Sequence, residues 1–340
     1  MRSIPTLMLL LILIGCKVDR SARISSDNFT FIELSKGVYS CIHKFGGKAI
    51  CNVGIVDNGN ETIIFDSFLS PDVARELLTA LSELNLSPVK YVVNSHFHND
   101  HIRGNQAFAK EVKIISTSRT KKLIEEEEPL QFAYEKENAP ARLAVYDSLY
   151  LSFEGDKQSR EYQQILMWRP YYETLSNSYK DVRTRIPDMF VDSLQNFDGP
   201  DRRVQLISKG QGHTYSDLIL YLPDDEIVFS GDLIFNNCHP YVAHGNIASW
   251  KIWLDFISSL EVSNIMPGHG QIGTQELILE MKNYLLDLEI SAQQLVDQNI
   301  DIEELQSIDV PEKYKNWWFD RFYAYNLSFA YESLKPNQEE

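Results

Sequence analysis

Residues 95–105, SHFHNDHIRGN, place three of the chain's eight histidines and an aspartate within the six positions from His96 to His101. They follow Tyr91-Val92-Val93, an apolar run that reads as the end of a buried strand. On a turn leaving a strand, His96 and His98 point to one side while Asp100 and His101 turn to the other. That divides the donors between two adjacent cation sites. Imidazole and carboxylate together suit zinc, and also iron or manganese. A merely polar surface loop is the competing reading, and the rest of the chain has to decide between them.

Four side chains cannot close two sites, so further donors are needed downstream. The sequence offers three, each expected at a strand-to-loop junction: His213 in QGHT (211–214), Asp232 in SGD (230–232) and His269 in PGHG (267–270). A glycine beside each lets the backbone turn sharply. Taken singly, a histidine next to glycine is more often a satisfied turn residue than a ligand, and Asp232 could cap a helix. Jointly those readings fail, because five of the eight histidines fall in the ordered motifs.

HFHNDH, GHT, SGD and PGHG, in that order over 96–269, resemble the metallo-β-lactamase superfamily. The resemblance covers about 30–272 and implies an α/β fold, the four-layer αβ/βα sandwich, with the metals at one edge between two sheets. It implies that His96, His98 and His213 hold one zinc ion, that Asp100, His101 and His269 hold a second, and that Asp232 bridges them. Two such ions about 3.5–4 Å apart bring a shared water to a pKa near 7, and the resemblance gives Asp100 the role of orienting that water and moving its proton. The reaction expected is hydrolysis of an ester, lactone, thioester or amide in a small molecule. Position 232 is Asp where β-lactamases typically carry Cys, and position 235 is Phe where some of them use Lys, so hydrolysis of β-lactams is the alternative. A non-catalytic metal-binding lipoprotein is the alternative from another class. Leu233–Tyr241, with Asn246 and Trp250, resembles a branch of exported or quinoprotein-associated metallohydrolases. Phe235, Asn236, His239, Tyr241 and His244 are candidates for the substrate pocket, whereas His43 is expected to pack or face solvent. The turn Phe45-Gly46-Gly47 is expected to reach over the metals.

The 340 residues, 44% hydrophobic and 24% charged, suffice for one large domain or two smaller ones. A net charge of −16 argues against a nucleic-acid partner. Arg2, the apolar run Leu7–Ile14 and then Gly15-Cys16 read as a signal peptide (1–15) with a lipobox, too short to span a bilayer. The mature chain is then expected to carry its lipid on Cys16, to be tethered by 16–28, and to sit on a bacterial membrane facing the periplasm or at the outer membrane. Residues 29–272 form the expected domain. Within it, 119–186 reads as a helical insertion, and 273–340 reads as a helical extension whose aromatic tail, 312–334, packs on the body. Cys41 and Cys51 flank the expected hairpin turn with even separation, which leaves a cross-strand disulfide and two buried thiols both open. Cys238 has no evident mate.

Overall fold

The computed structural model describes residues 24, 26–178 and 180–335, so Cys16 and the signal segment lie outside the described residues. A first sheet of seven strands is laid down in chain order: β1 (Phe29–Ser35), β2 (Val38–His43), β3 (Val53–Asp57), β4 (Thr62–Phe65), β5 (Val89–Val93), β6 (Lys113–Ser116) and β7 (Met189–Phe190). The first four pair antiparallel, and β4 to β7 pair parallel. The second sheet runs β12-β11-β10-β9-β8, from β8 (Leu194–Asp198), β9 (Arg203–Gly210), β10 (Asp217–Leu222), β11 (Ile227–Phe235) and β12 (Asn264–His269). Only its β11–β12 pair is parallel.

Strand side chains alternate between faces, and in β4 the two faces serve different layers. Ile63 and Phe65 point into the space between the sheets, against Val38, Val93, Leu218, Leu220 and Phe229. Ile64 points the other way, into a second cluster with Val73, Leu77 and Leu81 of α1 (Pro71–Ser82). The outer face of the second sheet, with Ile219, Val228 and Ile265, is covered by α5 (Ile247–Ser258), α6 (Glu276–Asp297) and α7 (Phe322–Leu334). Helix, sheet, sheet, helix is the four-layer order expected. Burying a residue such as Trp250 of α5 removes about 150–250 Å² from water, roughly 4–6 kcal/mol before entropy is counted.

The helix α1 starts as the sequence predicts. Ser70 Oγ accepts from Val73 N, and Pro71 fills the first turn, where its missing N–H costs nothing. The stretch 119–186 holds α3 (Ser118–Ser152) and α4 (Arg160–Ser178), which pack on each other. The short α2 (Asn99–Ile102) carries Asp100 and His101.

Several expectations are corrected. Of the two readings left open for Cys41 and Cys51, two buried thiols is the outcome: strand β3 begins only at Val53, which pairs with Cys41, and Cys51 lies in the connecting loop. Its thiol donates instead to the Asp100 carbonyl at 2.9 Å. The end of the expected tether is fixed to the body, because buried Ser26 accepts from Asn28 N and Phe29 N. In the tail, the helix starts at Phe322, and 315–321 is irregular. Asp232 lies inside a continuous β11, not at its end. No helix among the described residues is long and apolar enough to cross a membrane.

Candidate metal centre

The donors converge where β5, β11 and β12 end or pass. His96, His98, His213 and Asp232 present ligand atoms within 4.8 Å of one another, and Asp100, His101 and His269 form a second such group. Asp232 belongs to both neighbourhoods. Its Oδ2 lies 3.4 Å from His213 Nε2, 3.4 Å from His269 Nε2 and 3.7 Å from His96 Nε2, while Oδ1 lies 3.2 Å from His101 Nε2. Asp100 Oδ2 lies 3.4 Å from His269 Nε2 and 3.6 Å from His101 Nε2.

Two glycines make room for this. A Cβ on Gly268 would sit 1.9 Å from Asp232 Oδ1, so the turn before His269 must be glycine to admit the carboxylate. A Cβ on Gly231, whose φ is +52°, would sit 2.6 Å from Ser95 Cβ, so glycine there lets the strand bring Asp232 in beside His96.

The imidazoles are aimed by partners on their far nitrogens. Ser95 Oγ donates to Asp66 Oδ2 at 2.9 Å and so accepts from His96 Nδ1, also at 2.9 Å. Asp66 Oδ2 takes His101 Nδ1 at 2.8 Å, and Ile50 O takes His269 Nδ1 at 3.2 Å. His98 Nε2 meets His244 Nδ1 at 2.8 Å, which turns His98 Nδ1 towards His213 Nε2 at 3.2 Å. Such partners fix tautomer and ring orientation. Asn52 holds the turn carrying His269: its Nδ2 donates to Pro267 O and Gly270 O, and its N–H to Gly268 O.

What remains unsatisfied is informative. His96 Nε2, His101 Nε2 and Asp232 Oδ1 are buried without a hydrogen-bond partner and face the same small space. Buried polar atoms left in this way are costly, and a cation bound among them satisfies all three. The donors are nitrogen and carboxylate oxygen only, a set that fits zinc, iron or manganese. Without an ion, protons serve in part. Burial works against charge on His101, yet Cys51, Asp232, Asp66 and Asp100 raise its pKa well above the ordinary imidazole value. Burial likewise disfavours ionised Asp232, but His269, His101 and His96 hold it well below the usual carboxylate range. Burial pushes His96 and His98 well down and His213 down to about 3, leaving their lone pairs free.

A cavity of about 620 Å³ opens onto both groups, touching His98, Asp100, Asp232 and His269. Of the pocket candidates, Phe235, Tyr241 and His244 line it, and Phe235 also stacks on His269 at 5.3 Å. Asn236 and His239 do not. Asn236 turns outward to Gln271 O, and His239 is buried against Tyr284 OH and Tyr314 O. His43 packs its ring 6.0 Å from that of His269. Phe45, at the expected covering turn, lines the cavity and packs its ring 4.1 Å from that of Trp318, tilted by 46°. The reading of the sequence missed Asp66, Asn52 and the wall residues Trp168, Tyr171, Tyr172 and Arg321. Asp66 alone carried a signal, a lone carboxylate directly after the buried strand Thr62–Phe65.

The chain matches the sequence model of the metallo-beta-lactamase superfamily over residues 46–269. It belongs to that superfamily. It is 24% identical over 218 residues to the linear primary-alkylsulfatase of Pseudomonas sp. (strain ATCC 19151), covering 62% of this chain and 39% of that one. It is 21% identical over 260 residues to the metallo-beta-lactamase type 2 of Bacillus cereus, covering 73% and 78%. Among solved structures, the stereoselective inverting sec-alkylsulfatase of Pseudomonas sp. superposes with a TM-score of 0.62 at 14% identity, over 89% of this chain and half of that one. A metallo-beta-lactamase from Pontibacter korlensis superposes with a TM-score of 0.53 at 18% identity, over 76% and 99%. The chain thus spans two fifths to one half of the alkylsulfatases, and at these identities the structural likeness speaks for the fold.

Proposed function

We propose that this chain is a lipid-anchored hydrolase that uses two zinc ions to cleave an ester, lactone, thioester or amide bond in a small molecule with an apolar body. The observation that carries the reading is the pair of donor groups sharing Asp232 at the floor of an aromatic-walled cavity of drug-like size. His96, His98 and His213 would hold one ion and Asp100, His101 and His269 the other, with Asp232 between them. Ions so placed supply Lewis acidity and a water acidic enough to act near neutral pH. Asp100 borders the cavity and would orient that water and receive its proton. Phe97, Tyr241 and Phe235 exclude bulk solvent from the same face. Export and anchoring through Cys16 are part of the proposal and rest on the lipobox pattern.

A sulfate ester is the second reading, supported by the two alkylsulfatase relatives. Aspartate at 232 and phenylalanine at 235 speak against a β-lactam, although a β-lactamase is also among the relatives. The test is metal analysis of the purified mature protein, followed by turnover of 4-nitrophenyl esters, a thioester, a lactone, dodecyl sulfate and nitrocefin. Two ions per chain with ester or lactone turnover is the expected result. Sulfate release alone moves the assignment to the second reading, and nitrocefin turnover alone moves it to β-lactams. Bound metal with no turnover leaves a binding protein, and a chain that takes up no metal sinks the proposal.

A further inference from the structure

The far end of the cavity from the metal centre is cationic, in a chain whose net charge is −16. Arg321, just before α7, lays its guanidinium 3.3 Å from the ring centre of Trp168, and its Nη1 donates to Tyr172 OH at 2.6 Å. Arg142 of α3 approaches the same tyrosine, its guanidinium carbon 5.9 Å from the ring centre. Both arginines line the cavity. Among the described residues neither has a carboxylate within 4.0 Å; Lys44, which also lines the cavity, spends its ammonium on Ser26 O, and of the lining carboxylates Glu127 has no ion pair. Glu128 and Glu135 are held by Arg103, and Asp100 and Asp232 belong to the histidine cluster. Asp320, next to Arg321, spends an oxygen on that residue's own N–H at 2.9 Å.

The wall between the two ends is aromatic. The ring of Phe319 lies 5.5 Å from that of His269 and 5.5 Å from that of Trp168, so two rings separate His269 from the Arg321 guanidinium. Tyr171 also lines this wall, close enough to both Asp100 and Arg321 for each to act on its hydroxyl. A guanidinium stacked on indole keeps its in-plane donors free for a planar anion.

We propose that Arg321 and Arg142 form an anion subsite, and that the substrate is a bolaform molecule: a hydrolysable bond at the metal end, an apolar span along Phe319 and Trp168, and a carboxylate or similar oxyanion at the arginine end. This deepens the hydrolase reading and rests on it for the reaction, but not for the binding.

The test has two arms on the zinc-loaded protein. In the first, calorimetry compares 4-phenylbutyrate with its uncharged amide. The acid should bind about ten- to a hundredfold more tightly, and the gap should close in Arg321→Met and shrink in Arg142→Met. Arg142 is exposed, so its variant leaves the packing intact should loss of the Trp168 stack unfold the other. In the second arm, mono-4-nitrophenyl adipate and suberate are compared with 4-nitrophenyl hexanoate and octanoate. The half-esters should show the higher kcat/KM, and the arginine variants should lose that preference mainly through KM. Equal binding of acid and amide, or a gap that survives both substitutions, overturns the subsite. Tight, arginine-dependent binding with no hydrolysis of either ester series overturns the ester reading and leaves the subsite standing.

Discussion

Two buried polar clusters lie a few residues apart on the same stretch of chain, and they are finished in opposite ways. In the histidine cluster, several nitrogens and a carboxylate oxygen face one another with no hydrogen bond made. Around Arg103, fully buried, every atom is matched. Nε meets Glu128 Oε1 at 2.8 Å, Nη1 meets Glu135 Oε2 at 2.7 Å, and Nη2 reaches both carboxylates. Thr184 and Asn99 take up the remaining lone pairs at 2.6 and 2.8 Å. A closed cluster is a fastening between α3 and the loop after His101, whereas an open one is a receptor for something the chain does not itself supply. The difference lies in the count of donors against acceptors, since burial is nearly the same in both.

The sharpest way to break this contrast is to damage the open cluster. Asp232→Asn should lose bound metal and lower kcat/KM by more than about 10³-fold, a modest part of what an acidified water can contribute. Its fold should survive, as read by circular dichroism. Full metal content with undiminished turnover would put the receptor elsewhere. Damage to the closed cluster should appear as stability. Arg103→Met strands two buried carboxylates and should cost about 3–5 kcal/mol in urea unfolding, most of it recovered in Arg103→Met/Glu128→Gln/Glu135→Gln. A loss below about 1 kcal/mol would show the fastening to be idle.

A third buried polar group refines the comparison, because it is both closed and neutral. His239 Nε2 donates to Tyr314 O at 3.2 Å, while Nδ1 accepts from Tyr284 OH at 3.0 Å, and burial lowers its pKa from 6.5 to about 4. The folded state therefore binds fewer protons there than the unfolded chain. The contribution of His239 is whole above pH 6.5 and is lost as pH falls towards 4, about 3 kcal/mol in all. The difference between wild type and His239→Gln, followed by urea midpoints across that range, should slope accordingly; a flat difference refutes it. The smallest effect expected is at the rim of the open cluster. Asp66→Asn keeps the shape but weakens the orientation of His101, and should reduce zinc affinity about 10- to 100-fold in chelator competition.

The sandwich and the donor motifs were legible because their signals are local. Alternating apolar strands, Ser70-Pro71 at a helix start, and histidines beside glycines declare themselves within a few residues. The cavity wall was not legible, because it is made where α3, α4 and the 315–322 segment meet, and nothing in Trp168 or Arg321 taken alone points to the metal centre. His239 shows the converse error. It stands near Asp232 in sequence, yet the chain after Phe235 turns away, and the ring is claimed by Tyr284 and Tyr314. The cysteine pair was left open by its even spacing, and the structure gives the buried thiols, because the hairpin is longer than its turn signal suggested and Cys51 falls in the loop.

The Arg103 fastening sets a rule for anyone who wants a smaller version of this protein. Glu128 and Glu135 both reside on α3, so excising the helical hairpin removes the only two counter-charges that Arg103 has among the described residues and abandons a guanidinium inside the scaffold, two positions beyond His101. A trimmed or loop-swapped chain must therefore replace residue 103 in the same step, or the graft will fail at folding before its chemistry is ever assayed.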